Sequence, residues 1–172
     1  WRAYERFMVR ETIKAGYDGI FFDNPTVHPQ GCYCPHCLAR FAGFLAAEGQ
    51  APAARSVEAL RRFALERARD FLRFRATIAP GFLAEMRACA KSLRPGALLT
   101  CNNSLNTPEA LFSQVRTYGY DISGLSRAED FILVEDMRSQ PRRLADGTIV
   151  EYGPTYSLLH AIGHGRPLAA VT

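Results

Sequence analysis

Four short apolar runs punctuate the chain, and helical spacing fills the stretches between them. From Arg2 to Ala15, apolar or aromatic residues recur at Tyr4, Phe7, Met8 and Ile13, which predicts a helix burying one face, with Gly16 at its C-terminal end. Tyr17 to Phe22 is nearly continuous in apolar residues and predicts a strand covered on both faces in a parallel sheet. Leu38 to Glu48 predicts a helix closed by Gly49. Ser56 to about Leu93 predicts one long helix, capped by Ser56 with Glu58 in its first turn and broken or kinked at Pro80-Gly81. Ala97 to Cys101 is a second buried strand ending in Asn102-Asn103. Thr107 caps a helix that starts at Pro108 and reaches Tyr118. Phe131 to Val134 is a third strand, ending in Glu135-Asp136. Beyond a polar turn at Asp146-Gly147, Tyr156 to Gly163 predicts a helix and Leu168 to Val171 a last strand.

Helices alternating with buried strands predict an α/β fold with a parallel sheet of βα units. A TIM barrel and a doubly wound open sheet compete. No Gly-rich phosphate loop follows any strand, which weighs against a nucleotide-binding open sheet. Three strands instead end in polar pairs, and in a TIM barrel the strand C-termini converge on the active-site mouth. The expectation is therefore a partial TIM barrel of about four βα units. A whole barrel takes about 250 residues, and the 172 residues open on Trp1 and stop at Thr172 after an apolar run. Residues 1–172 are thus expected to be the C-terminal-side portion of one barrel domain, cut at both ends and inactive in isolation.

Composition narrows the partners. With 48% hydrophobic residues the chain can bury a sizeable core, and no apolar run nears the roughly 18 residues of a membrane span. The net charge of +4 hints at nucleic acid. Yet Arg55, Arg61, Arg62, Arg67, Arg69, Arg73 and Arg75 alternate with Glu58, Glu66 and Asp70 at helical spacing, and a solvated helix face explains them more simply. Five cysteines, three of them crowded at positions 32, 34 and 37, fit free thiols in a reducing compartment better than a disulfide framework. A cytoplasmic protein with no nucleic-acid or membrane partner is expected.

Asp23, Glu135 and Asp136 are the acids placed immediately after buried strands. Glycoside hydrolysis needs two such groups. One is ionised, to attack the anomeric carbon or stabilise a cationic transition state, and the other protonates the leaving oxygen. The plainer alternative is that these acids cap helices or bind loop amides. Asn24, Asn102 and Asn103 suit hydrogen bonding to sugar hydroxyls, or equally a turn, and Tyr33 a stacking face.

In Cys32-Tyr33-Cys34-Pro35-His36-Cys37, three thiols fall within six residues just before a helix. That spacing can wrap one Zn²⁺, which takes four ligands in a structural site. His36, Cys101 or a residue upstream would be the fourth, and a cluster of inert buried thiols is the competing explanation.

The segment "CYCPHCLARFAGFL" resembles the one after the fourth barrel strand of family forty-two glycoside hydrolases, the β-galactosidases, where a CxCxxC motif contributes to a cysteine-bound zinc. With "GYDGIFFDNP", "LLTCNN" and "DFILVEDM" added, the chain is more similar to glycosyl-hydrolase-like TIM barrels related to that family. The resemblance is strongest from Gly16 to Leu45 and from Ala97 to Met137. It implies a barrel, a structural zinc on Cys32, Cys34 and Cys37, and an oligosaccharide or glycoside substrate, and it leaves a homo-oligomer open. The β-galactosidases carry Asn-Glu at this strand end, where this chain has Asp23-Asn24. An Asp there resembles the nucleophile of α-galactosidase and α-fucosidase barrels. The expected roles are Asp23 as nucleophile and Glu135 as acid/base, with Asp136 in reserve. A non-catalytic carbohydrate-binding barrel and a zinc-dependent interaction module are the alternatives.

Overall fold

The structure, a computed structural model, describes residues 1–53, 56–103, 108–135, 143–149 and 153–171; the side chains of Pro108 and Glu135 fall outside the description. Its elements in chain order are α1 (Arg2–Lys14), β1 (Gly19–Phe22), α2 (Pro35–Ala47), α3 (Val57–Glu66), α4 (Ala68–Ala76) and α5 (Ile78–Leu93). They continue with β2 (Leu98–Cys101), α6 (Pro108–Tyr118), α7 (Ile122–Ala128), β3 (Ile132–Glu135), α8 (Gly153–Ile162) and β4 (Leu168–Val171).

A partial TIM barrel is not what forms. The fold is mostly helical (58%), and its strands make two separate two-stranded parallel sheets, β1 with β2 and β3 with β4, in place of four βα units around one wall. The reason lies at the seam between β2 and β3. Among the described residues one isolated parallel bridge, Asn102 to Leu133, crosses it. Beside that bridge, side chains stand where a ladder would use backbone: the Leu99 N–H donates to the Asp130 carboxylate at 2.9 Å, and the Thr100 hydroxyl donates to the Phe131 carbonyl at 2.8 Å. Nor are the strands covered on both faces. Phe21 (51% exposed), Leu98 and Val171 all face outward.

The segment read as one long helix is three. It breaks at Arg67, whose backbone leaves the helical region, and again at Thr77. Pro80 causes neither break. It sits in the first turn of α5, where no intrahelical N–H is needed. Ser56 caps α3 as expected, its hydroxyl accepting from the Ala59 N–H. Helix α7 was not foreseen; Asp121 caps it by accepting from the Ser123 N–H.

Two apolar cores result. In the first, Leu83, Met86 and Ala90 of α5, one turn apart, pack against α1, α7 and the inner residues Leu99, Ile132 and Val134 of the strands. The second belongs to the helical excursion α2–α4. Leu38, Phe41 and Leu45 form one stripe of α2, and Phe41 meets Phe71 edge-on with ring centroids 5.2 Å apart. This excursion stands between β1 and α5, where one helix and the first half of a long second one were expected, and the cysteines lie at its start. Among the described residues no helix is long and apolar enough to cross a membrane.

Candidate functional site

Asp23 lies one residue beyond β1, exposed, at the edge of a cavity of about 430 Å³. Asn24, Arg40 and Glu5 give this cavity its polar side, while Phe22, Phe82 and Trp1 give it an aromatic wall. Trp1 stacks on Phe82 with centroids 4.6 Å apart and planes inclined by 26°. The chain turns sharply after Asp23 because Asn24 has a φ of 43°, a left-handed conformation that Asn tolerates better than most residues. The Asn102 amide donates to Asp23 Oδ1 at 3.1 Å, so the polar ends of β1 and β2 meet.

The other expected site residues divide. Asn103 is fully buried and spent internally. Its amide N–H groups donate to Glu129 Oε2 at 3.0 Å and to the Cys101 carbonyl at 3.1 Å, and its oxygen accepts from the Tyr120 hydroxyl at 2.8 Å. Tyr33 stacks on Phe71 at 4.7 Å, against the second core, and is not among the residues lining the Asp23 cavity. Glu135 closes β3, but its side chain and the whole of Asp136 lie outside the described residues.

Glu129, which the sequence reading passed over, is the most deeply placed acid near the strand ends. It is fully buried, and Cys101 Sγ donates to Oε1 at 3.2 Å. Burial raises its pKa, against the hydrogen bonds that favour the carboxylate. The Thr100 hydroxyl donates to the Phe131 carbonyl at 2.8 Å and stands 3.3 Å from Glu129 Oε2, the oxygen that also accepts from Asn103. Cys101 is occupied here, its thiol pushed well up by burial, and it is no partner for the other cysteines.

Cys32, Cys34 and Cys37 place their sulfurs all within 4.8 Å of one another, and this cluster could hold a metal ion. Neither His36 nor Cys101 belongs to it. Cys34 is the N-cap of α2, Pro35 the first helical residue, and Cys37 lies in the first turn. The Cys37 backbone N–H and the neighbouring thiols hold the Cys34 thiol below its ordinary value. Burial, reinforced by Cys32 and Cys34, pushes Cys37 up to about 12.

The loop from Asn24 to Tyr33 runs between the two sites. Val27 and Arg40 line both the Asp23 cavity and a smaller one, of about 160 Å³, that also holds His28, Cys32, Cys37 and Arg75. Arg75 leaves the solvated arginine face expected of it and is buried. One terminal nitrogen of its guanidinium donates to the carbonyls of His28 (2.8 Å), Pro29 (3.2 Å) and Thr117 (2.8 Å). Gly31, at a φ of 78°, completes the turn into Cys32; an added Cβ there would press on Phe71 at 3.0 Å. Compared with known proteins, the chain matches no family model and no curated protein.

Proposed function

We propose that this chain supplies the sugar-binding face and one reacting carboxylate of a glycoside hydrolase, with a zinc ion on Cys32, Cys34 and Cys37 as a structural clip. One observation carries the reading: Asp23 faces a cavity of about 430 Å³ that pairs a polar rim with an aromatic wall. A pyranose has that double character, hydroxyls around its edge and C–H groups on its faces. Asn102 fixes one carboxylate oxygen, and the other is the one that would attack the anomeric carbon. The resemblance of the CYCPHC segment to glycosidase sequences points the same way. Glu135 and Asp136 keep the acid/base role, and Glu5, which lines the same cavity, joins them as a candidate.

The donor set fits zinc. A tetrahedral Zn²⁺ with thiolates at about 2.3 Å holds its sulfurs about 3.8 Å apart, and the three sulfurs here lie within 4.8 Å of one another. Bound there, the ion would pin the loop that leads from Asp23 and would leave one coordination position for a fourth ligand. Free thiols in this number favour a cytoplasmic protein.

The test is hydrolysis of an aryl-glycoside panel by the intact protein. Asp23→Ala is expected to lower kcat/KM for the hydrolysed substrate by roughly 10³-fold or more while the fold persists. Oligosaccharide binding that Asp23→Ala abolishes, with no turnover of any glycoside, would favour the non-catalytic carbohydrate-binding reading. Neither turnover nor binding would overturn both.

A further inference from the structure

We infer that Cys34 and Cys37 are a dithiol–disulfide pair, oxidised by small-molecule disulfides such as glutathione disulfide, and that this oxidation empties the metal clip. Three pairings are open to the cluster; the helix start favours Cys34 with Cys37, and peptide mapping separates that link from either link to Cys32. An N-cap side chain and the side chain three residues on face each other across the first turn, the relation that capping boxes exploit. Residues at that spacing have Cβ atoms about 5 to 6 Å apart, and a disulfide needs roughly 3.5 to 4.5 Å. A small movement at the start of α2, where the first intrahelical bond runs from the Leu38 N–H to the Cys34 carbonyl, closes the difference. Cys32 and Cys34 are separated by one residue of non-helical chain, and so close a pair closes without strain far less readily.

Access and charge agree. Cys32 is exposed and Cys34 half-buried, so a reagent can reach the cluster. Arg40 and Arg75 line the cavity that Cys32 and Cys37 share, an electropositive setting that draws in a disulfide bearing carboxylates. The Cys34 thiolate attacks the reagent's S–S bond, forming a mixed disulfide and releasing one thiolate. Cys37, giving up its proton as it attacks, then displaces the second thiolate from Cys34 Sγ. The protein loses two electrons and two protons, and one disulfide becomes two thiols. Cys32 alone cannot retain the ion, so the loop behind Asp23 loses its anchor.

The inference shares its residues with the proposed zinc clip and rests on that reading only for its consequence, so the two are measured separately. Metal-free, reduced protein is treated with glutathione disulfide. Free thiols are then counted after denaturation, and the disulfide is located by peptide mapping. The expected result is a fall of two from the five thiols of the chain, with a Cys34–Cys37 link and no retained glutathione. Cys37→Ser should stop at a stable glutathione adduct on Cys34, while Cys89→Ser should behave as wild type. A wild-type adduct that persists, a link involving Cys32, or no oxidation under conditions that oxidise dithiothreitol would overturn the inference. Zinc content of the untreated protein, measured alongside, decides the clip: a chain that forms the link yet never takes up zinc refutes the metal reading and leaves the disulfide pair standing.

Discussion

Glu129 and Asp130 are neighbours in the chain whose pKa values move in opposite directions. Burial raises Glu129, whereas Asp130, despite its own burial, is held below its ordinary value by Arg87, Lys91 and the Leu99 amide. The folded chain therefore binds a proton at Glu129 that the unfolded chain has released, so this residue's contribution falls as pH rises above its ordinary 4.5. For Asp130 the sign reverses: its contribution is complete above 3.8 and is lost as pH falls below it. Glu129→Gln is expected to flatten the decline in stability on the alkaline side, and Asp130→Asn the decline on the acid side, in urea titrations from pH 3 to 8. At this scale the sequence was partly legible. A polar pair after an apolar run marked Asp23 and Asn102 each as a strand end, and the two meet by a hydrogen bond. Nothing in the letters separates Asn102, which meets Asp23, from Asn103, which is spent on Glu129 and Tyr120, because strand alternation sends adjacent side chains opposite ways.

At the scale of elements, the strands were easy to read and the middle of the chain was not. Short apolar runs between breakers can hardly be anything but strands, and all four appear within two residues of their expected ends. From Val57 to Leu93 the spacing of apolar residues continues unbroken across Arg67 and Thr77, so periodicity alone has no reason to stop. The breaks are made by packing, since α3 and α4 turn back to bury Phe71 and Phe74 against α2. Arg75 belongs to the same packing. Its three carbonyl acceptors come from the loop after β1 and the end of α6, and it ties the two together. Arg75→Met, which keeps most of the apolar stem, is expected to destabilise the protein by about 3 kcal/mol. Faster amide exchange at Val27 and Gly31 would show that the loss falls on this loop. A uniform change across all elements would contradict the assignment.

For the whole molecule, the question is how two cores share one chain. The alternation of helix and strand suggested a single sheet wall, but alternation counts elements without saying which of them build a core of their own. Helices α2–α4 do, around Leu38, Phe41 and Leu45, and the cysteine cluster sits at the start of α2, on the near edge of that core. A metal bound there stabilises whatever structure its ligands require, by an amount set by the ion's affinity and concentration. It should therefore stabilise the α2–α4 core and the loop from Asp23, and leave the strand core nearly untouched. Chelation is expected to speed hydrogen exchange at Phe41 and Leu45 while Leu99 and Ile132 hold their protection. Phe41→Ala, costing roughly 3 to 5 kcal/mol, should weaken zinc retention as well as stability. Leu83→Ala, deep in the other core, costs about 2 to 5 kcal/mol and should leave zinc retention unchanged for as long as the protein is folded. Equal loss of zinc in both variants would mean that the two cores open together and that the ion reports only on global folding.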